Sequence, residues 1–510
     1  MSTIYHLSCC FRSQFEPQTI IMVLMGFYED KTFENRCGRL QESPKSDRAR
    51  KGIMPLSKCT GHSLQTGNTM MRTFLAFITV IALVSSVQSL AGAQPAEPFV
   101  TQMGNGLTVI IREDHAAELV GVAVWVKAGS SNETEKNNGV SHFIEHLVFG
   151  ATAKREPGEM DLEMESIGAT LNARTSKDWA QFNTVVSSRY LRQALDVLAD
   201  AMTAARFRDQ DIEQERRVIL DEIAKKETNP IAVCKDYLAR ELYGSHPYSL
   251  PVEGTRESVL AISRQDIVDY YRKYYVPRNM AVVLVGDVDK ERAVAEIGRA
   301  FQGLASAPAP KQSASEVAPI TQQVNKTLKA PLDSTCVAVG FHGPPGADYK
   351  DVCAIDVLLA YLGFGYRSWM AEELKGKMAL ATEVSADFLT QRHPGAISLI
   401  VQTTDANVEK VKGAIFARIA AIRNEGLTES DLALAKRSLL GQYAFENETY
   451  GGMAASYGFY FVVSEPQFAS KYVECVQSIR NEDIIRVAQK YLDPTQAVVL
   501  IIGPNQGGNR

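Results

Sequence analysis

The chain has 510 residues and a formal net charge of −5, with 45% hydrophobic and 22% charged residues. That balance describes a soluble globular protein long enough for more than one core. The mild acidity, with no basic block or basic-aromatic stripe, excludes a nucleic-acid binder, and ordinary Gly and Pro contents exclude a fibrous or low-complexity chain.

Residues 1–69 show no sustained hydrophobic period and carry four of the eight cysteines. Residues 70–93 read as a signal peptide. Arg72 is its basic start, Phe74 to Val84 its apolar centre, and Ala91-Gly92-Ala93 its small-residue cleavage site. The apolar run is too short to span a bilayer, which takes roughly 20 residues. Such a signal normally opens a chain, so translation is expected to start at Met70 or Met71, with 1–69 an untranslated or disordered upstream segment. The product is then exported, to the periplasm, with no stable membrane span after cleavage. The remaining cysteines, Cys234, Cys336, Cys353 and Cys475, are too widely spaced for a disulfide framework or a CxxC metal site. They are expected to act as small buried hydrophobes.

"GVSHFIEHLVFG", residues 139–150, predicts an amphipathic helix with three ionisable groups among apolar ones. His142, Glu145, His146 and Phe149 have the i, i+3, i+4, i+7 spacing of one helical face. Buried imidazoles and carboxylates are costly without a partner. Two histidines one turn apart can share one zinc ion, which needs a third protein ligand and, for catalysis, an open position. "GATLNARTSKDWAQFNTVVSS", residues 168–188, predicts two strands around a polar turn. "DIEQERRVILDEIAKKE", residues 211–227, predicts a helix that can offer the third ligand. Glu215 and Glu222 lie two turns apart on one face of it, whereas Glu213 and Glu227 point elsewhere.

From there the chain repeats itself. "DIVDYYRKYYVPRNMAVVLVGDV" from Asp266 matches "DIIRVAQKYLDPTQAVVLIIGPN" from Asp483, each an amphipathic helix, a proline turn and an apolar strand ending at glycine. The strand-like "VGVAVWVKAG" from Val120 matches "TCVAVGFHGP" from Thr335. The helical stretch from Arg189 matches the one from Ala406. Between the copies, "ASAPAPKQSAS" reads as a linker. The expected fold is therefore α+β: two homologous α/β halves, each an antiparallel-rich sheet with helices on one face, enclosing a cleft or chamber. The first half spans 94–304, the linker 305–318 and the second half 319–510.

The His142-Phe-Ile-Glu145-His146 run, followed by Glu222 with Glu215 seven residues before it, resembles the M16 (pitrilysin-type, inverzincin) metallopeptidases. Within that family the chain is similar to the two-domain subgroup of bacterial zinc proteases and mitochondrial processing peptidase. The resemblance implies that His142, His146 and Glu222 hold one Zn2+ per chain. It implies that Glu145 is the general base toward the attacking water, and that Glu215 is an acid supporting the site from behind. It also matches Asn172-Ala173 to the "NA" of an edge strand beside the zinc, where an extended peptide substrate adds through main-chain bonds. Arg174 follows, where relatives often carry an aromatic residue, and is expected to favour acidic or small side chains.

The second half has no paired histidines at the matching place: "VCAIDVLLAYLGF", residues 352–364, is apolar with one aspartate. In "EELKGKMALATEV", residues 372–384, self-sufficient relatives resemble R-E-K-R-G-L-A-Y, with an Arg and a Tyr that bind substrate. Here those positions are Lys375 and Thr382. Lysine lacks the bidentate fork of arginine, and threonine lacks the reach of a phenol. The resemblance therefore implies a zinc-dependent endopeptidase that is the catalytic subunit of a heterodimer, its M16-like partner supplying the Arg/Tyr pair. The alternatives are a non-catalytic or chaperone-like assembly subunit and a presequence-processing subunit.

Overall fold

The computed structural model describes residues 97–304, 306–311 and 316–505. The upstream segment, the signal segment 70–93 and part of the 305–318 connector lie outside the described residues. Two sheets carry the chain. The first has β1 (Phe99–Gln102), β2 (Thr108–Glu113), β3 (Leu119–Val126), β4 (Asn172–Thr175), β5 (Ala180–Ser187) and β6 (Met280–Gly286), in the order β1-β2-β6-β3-β5-β4. The second has β7 (Val324–Ala330), β8 (Thr335–His342), β9 (Glu383–Leu389), β10 (Ala396–Thr403) and β11 (Val498–Pro504), in the order β7-β11-β8-β10-β9.

The sheets share one topology. β2 pairs parallel with β6, and β7 pairs parallel with β11, while every other ladder is antiparallel. The strand order β2-β6-β3-β5-β4 is thus repeated as β7-β11-β8-β10-β9, and β1 is an addition to the first copy. The duplication read in the sequence is a duplication of fold.

The helices of the first half are α1 (Val140–Leu147), α2 (Glu159–Glu165), α3 (Leu191–Ala204), α4 (Asp209–Lys226), α5 (Pro230–Tyr243), α6 (Arg256–Ala261), α7 (Arg264–Tyr274) and α8 (Lys290–Ala300). The second half has α9 (Tyr349–Gly363), a π-type turn over Met370–Lys377, α10 (Val408–Glu425), α11 (Glu429–Glu446), α12 (Tyr450–Val463), α13 (Phe468–Ser478) and α14 (Asn481–Tyr491). Each sheet packs helices of its own half on one face, as expected. On the other face it receives a helix of the other half. α12 lies on β3 and β6, and α5 lies on β8, β10 and β11.

This exchange explains why the central strands read as unbroken apolar runs. Both of their faces are covered, so alternation disappears: all of Met280–Gly286 is buried. Val122, Val124 and Leu284 pack under the first half's own helices. Ala123, Trp125 and Val283 join a core built from second-half residues such as Ala454, Tyr457 and Phe461. In return Ile231, Cys234 and Leu238 of α5 pack on Cys336, Ala338 and Leu500. Close approach needs glycine at one point. A Cβ on Gly458 of α12 would lie 2.0 Å from the indole Nε1 of Trp125. Cys234, Cys336 and Cys353 are buried and Cys475 is half-buried, all four with free thiols.

Matching hairpin turns of the two halves also meet. Asp178, between β4 and β5, is 2% exposed. It accepts from the backbone N–H of Arg392, between β9 and β10, at 3.0 Å and from its guanidinium at 3.1 Å. Tyr248 O–H donates to the same carboxylate at 2.7 Å and Ser131 Oγ at 3.1 Å. Such a buried, multiply bonded pair ties the halves together, and removing one partner strands the other charge. No helix among the described residues is long and apolar enough to cross a membrane.

Candidate metal centre

α1 forms where the sequence predicts it, and its start is fixed by a residue that helix spacing does not reveal. Gly139 adopts a left-handed φ of 98° at the N-cap. The buried carboxylate of Glu133, six residues earlier, accepts from the backbone N–H groups of Gly139 and Ser141, both at 2.8 Å, and from Asn138 Nδ2 at 2.8 Å. It also accepts from the Ser141 hydroxyl. A carboxylate on the orphan donors of a helix start is favourable both as a cap and against the helix dipole. Burial pushes the Glu133 pKa up, and these donors pull against that rise.

α4 brings the distal carboxylates. Its buried Arg216 donates to the carbonyls of Val259 and Ile262 at the end of α6, and lies over the Phe143 ring of α1 at 5.2 Å. At the C-terminal end of α4, Lys226 pairs with Asp236 of α5 at 2.8 Å and Glu253 at 2.7 Å. Burial works against the ionised Glu253, but the charge and hydrogen bond of Lys226 and the nearby His142 outweigh it, holding its pKa at about 2.

Held so, the two helices bring His142, His146 and Glu222 together, with one ligand atom of each within 4.8 Å of the others. His142 Nε2 lies 3.8 Å and His146 Nε2 3.5 Å from Glu222 Oε2. These separations are long for hydrogen bonds. They are close to the roughly 3.3 Å that separates ligand atoms around a tetrahedral zinc with bonds of about 2.0–2.1 Å. The two imidazoles stand edge to face at 4.7 Å. Glu215, the other acid on the predicted face of α4, places Oε2 3.1 Å from His146 Nδ1, the ring nitrogen turned away from Glu222. Glu145 lies between the histidines in sequence and is 8% exposed. The residues thus fit a divalent ion in donor type, in number and in spacing.

The electrostatics agree. Burial disfavours a charged His146, but the hydrogen bond to Glu215 and the nearby negative charges of Glu222 and Glu145 reverse that and lift its pKa to about 10. Burial keeps His142 below its ordinary value, despite Glu145. Metal binding requires both imidazoles to be neutral, so protons compete with an ion for this cluster as pH falls. One other acidic group of metal-binding spacing occurs among the described residues, Glu113, Asp289 and Glu291, and all three side chains are exposed.

Asn172, Ala173 and Arg174 lie on β4, the outermost strand of the first sheet, which packs beside α1. Lys375 and Thr382 are both exposed, Lys375 on the π-type turn and Thr382 bonded through its N–H to Gln402 O at 3.0 Å. Between them Ala379 has a φ of 51°, where the resembling pattern has glycine. A β-carbon there carries a steric cost of roughly 1–2 kcal/mol. Glu133, Arg216, Lys226 and Glu253 are the supporting residues that motif reading missed. Their hydrogen-bond and ion-pair partners named above lie 5–46 residues away in sequence at no shared helical or strand period, so no local signal marks them.

Comparison with known proteins gives a consistent picture. The model of the insulinase-type peptidase family M16 matches residues 108–256, and that of the peptidase M16 inactive domain matches residues 261–439. An uncharacterized zinc protease of Mycobacterium leprae is 31% identical over 351 residues, covering 67% of this chain and 77% of that protein. A probable mitochondrial-processing peptidase subunit beta of Arabidopsis thaliana is 25% identical over 446 residues, covering 85% and 83%. Among solved structures, a protease from Helicobacter pylori shares the fold with a TM-score of 0.76 at 23% identity, covering 80% of this chain and 99% of its own.

Proposed function

The chain belongs to the M16 peptidase family, and on that footing we propose that it is a zinc-dependent endopeptidase acting on peptides or unfolded segments. The observation that carries the reading is the convergence of His142, His146 and Glu222 within 4.8 Å, beside a nearly buried Glu145. A zinc ion held by these three supplies Lewis acidity toward a peptide carbonyl and a water molecule. Glu145 then accepts a proton from the attacking water on a carboxylate oxygen and delivers it to the leaving amine. It stays off the metal, because coordination would occupy the lone pairs it needs. Glu215 accepts from His146 Nδ1–H, which fixes the tautomer that leaves Nε2 facing Glu222.

In this reading Asn172, Ala173 and Arg174 of β4 receive the substrate as an added strand, main chain to main chain. The domain limits proposed are 94–304 and 319–510 around the 305–318 linker. The metal belongs to the first half, since α9 carries no histidine where α1 carries two. The pattern at 70–93 supports export to the periplasm. Lys375 and Thr382, exposed where an Arg/Tyr pair binds substrate in self-sufficient members, favour pairing with a second M16-like chain.

Replacing Glu145 with Gln tests the reading. The variant is expected to bind one zinc per chain and lose peptide turnover by about 10²–10⁴-fold, the usual size of a lost general base. Turnover at the parent rate overturns the assignment. Full activity of the purified chain without any second protein overturns the heterodimer.

A further inference from the structure

Strand register places polar side chains of β4 and β5, among them Arg174, on the inner face of the first sheet. Trp125 of β3 pairs with Gln181 of β5, and Gln181 pairs with Arg174 of β4. The neighbouring row is Ala123, Asn183 and Asn172. Side chains directly across an antiparallel ladder share a face, and Trp125 and Ala123 face the second half's core. Arg174 therefore projects to that inner side, whereas Ala173 packs among the first half's helices. α12 covers this face chiefly over β3 and β6. The polar residues on β5 and β4 begin where that cover ends.

Arg174 is exposed to solvent, yet lies over the Trp179 ring at 5.6 Å, and Trp179 in turn packs on Trp125 at 4.8 Å. The indoles present an apolar wall to one side of the guanidinium. Its pKa falls to about 10, and the cause is desolvation, with no carboxylate charge opposing it. No ion pair of Arg174 occurs among the described residues. The ring face holds the guanidinium in place through a cation–π contact, leaving its planar fork of donors, which matches a carboxylate, open on the solvent side.

We infer that Arg174 is a specificity-determining residue that receives a carboxylate of the peptide lying along β4. The inference rests on the proposed function for the position of the peptide, and for nothing else. An acidic side chain near the cleaved bond is the natural donor of that carboxylate, and a free peptide C-terminus carries the same chemistry. The ligand supplies the negative charge that the protein leaves out, in a site where Trp179 lowers competition from water. Charge-assisted bonds of this kind are roughly twice as strong as neutral ones.

The test is peptide binding to the full chain carrying Glu145→Gln, loaded with zinc, by fluorescence anisotropy. The probes are blocked peptides, acetylated and amidated, that differ at one position as Glu, Gln or Lys. A further Gln peptide with a free C-terminus measures the terminal source. The Glu peptide or the free-terminus peptide is expected to bind about tenfold tighter than the blocked Gln peptide. Arg174→Ala should abolish that difference, Arg174→Lys should retain part of it, and Arg174→Glu should turn the preference toward Lys. Equal binding of all four peptides by the Arg174 chain overturns the inference, as does a carboxylate preference that survives Arg174→Ala. Its failure is separable from that of the peptidase reading. If zinc-loaded protein with Glu145 intact cleaves no peptide while the Arg174-dependent preference holds, the hydrolysis fails and the carboxylate receptor stands.

Discussion

His146 Nδ1 lies 3.1 Å from Glu215 Oε2, on the side of the ring away from Glu222. One imidazole thus bridges two acids of the same helix, the two carboxylates seven residues apart on α4. The pairing with Glu215 orients the ring and raises the basicity of Nε2.

Glu215→Ala is therefore expected to weaken zinc binding by about 10–100-fold, the common cost of losing an outer partner of a histidine ligand. Competition with a chromophoric chelator measures it. Glu213→Ala, on the same helix but paired with Arg216 at 3.2 Å, should leave zinc affinity unchanged. Equal affinities for the two variants would contradict the role given to Glu215.

The exchanged helices give a second prediction. Gly458 of α12 presses against Trp125, so a methyl group has nowhere to go without moving the helix off the first sheet. Gly458→Ala should destabilise the fold by about 1–3 kcal/mol, the usual cost of overpacking. Gly413 of α10 has nothing within 4 Å of its missing Cβ, so Gly413→Ala should be neutral or stabilise by up to about 1 kcal/mol through helix propensity. Guanidinium unfolding midpoints compare the two. A neutral Gly458→Ala would mean that α12 does not seat on Trp125.

Acid stability follows from Glu253. Burial resists its charge, but Lys226 and His142 hold its pKa near 2, below the ordinary 4.5. A carboxylate depressed in the folded state contributes stability above its unfolded pKa and loses it as pH falls through the folded one. The contribution, on the order of 3 kcal/mol, should thus be largely present above about pH 5 and vanish as pH falls from about 4.5 to 2. In thermal unfolding against pH, Glu253→Gln should lower stability at pH 6 and flatten the decline across that window. An unchanged slope would show that the Lys226 pairing does not couple to folding.

Much of this arrangement is legible in the sequence because its signals are periodic. The face shared by His142, Glu145 and His146 follows from helical spacing alone, and so does the pairing of Glu215 with Glu222. The repeat of a helix, proline turn and apolar strand from Asp266 and from Asp483 gives two halves of one topology. What stays hidden is contact between elements remote in the chain. The crossing of α5 and α12 onto each other's sheets leaves only a diffuse trace, strands without alternation. Glu133 beneath α1, Arg216 under α6 and Asp178 opposite Arg392 are buried polar partners whose spacing follows no local rule. Only folding shows that each is satisfied.

The central claim is that two imidazoles and one remote carboxylate hold a single zinc ion while Glu145 stays uncoordinated. Anomalous diffraction from crystals of the mature chain, collected on both sides of the zinc absorption edge, tests it most directly. The account predicts one peak per chain, bonded at about 2.0–2.2 Å to His142, His146 and Glu222, with the Glu145 carboxylate outside bonding distance. A map without a peak there, or one in which Glu145 replaces Glu222 as a ligand, would contradict it.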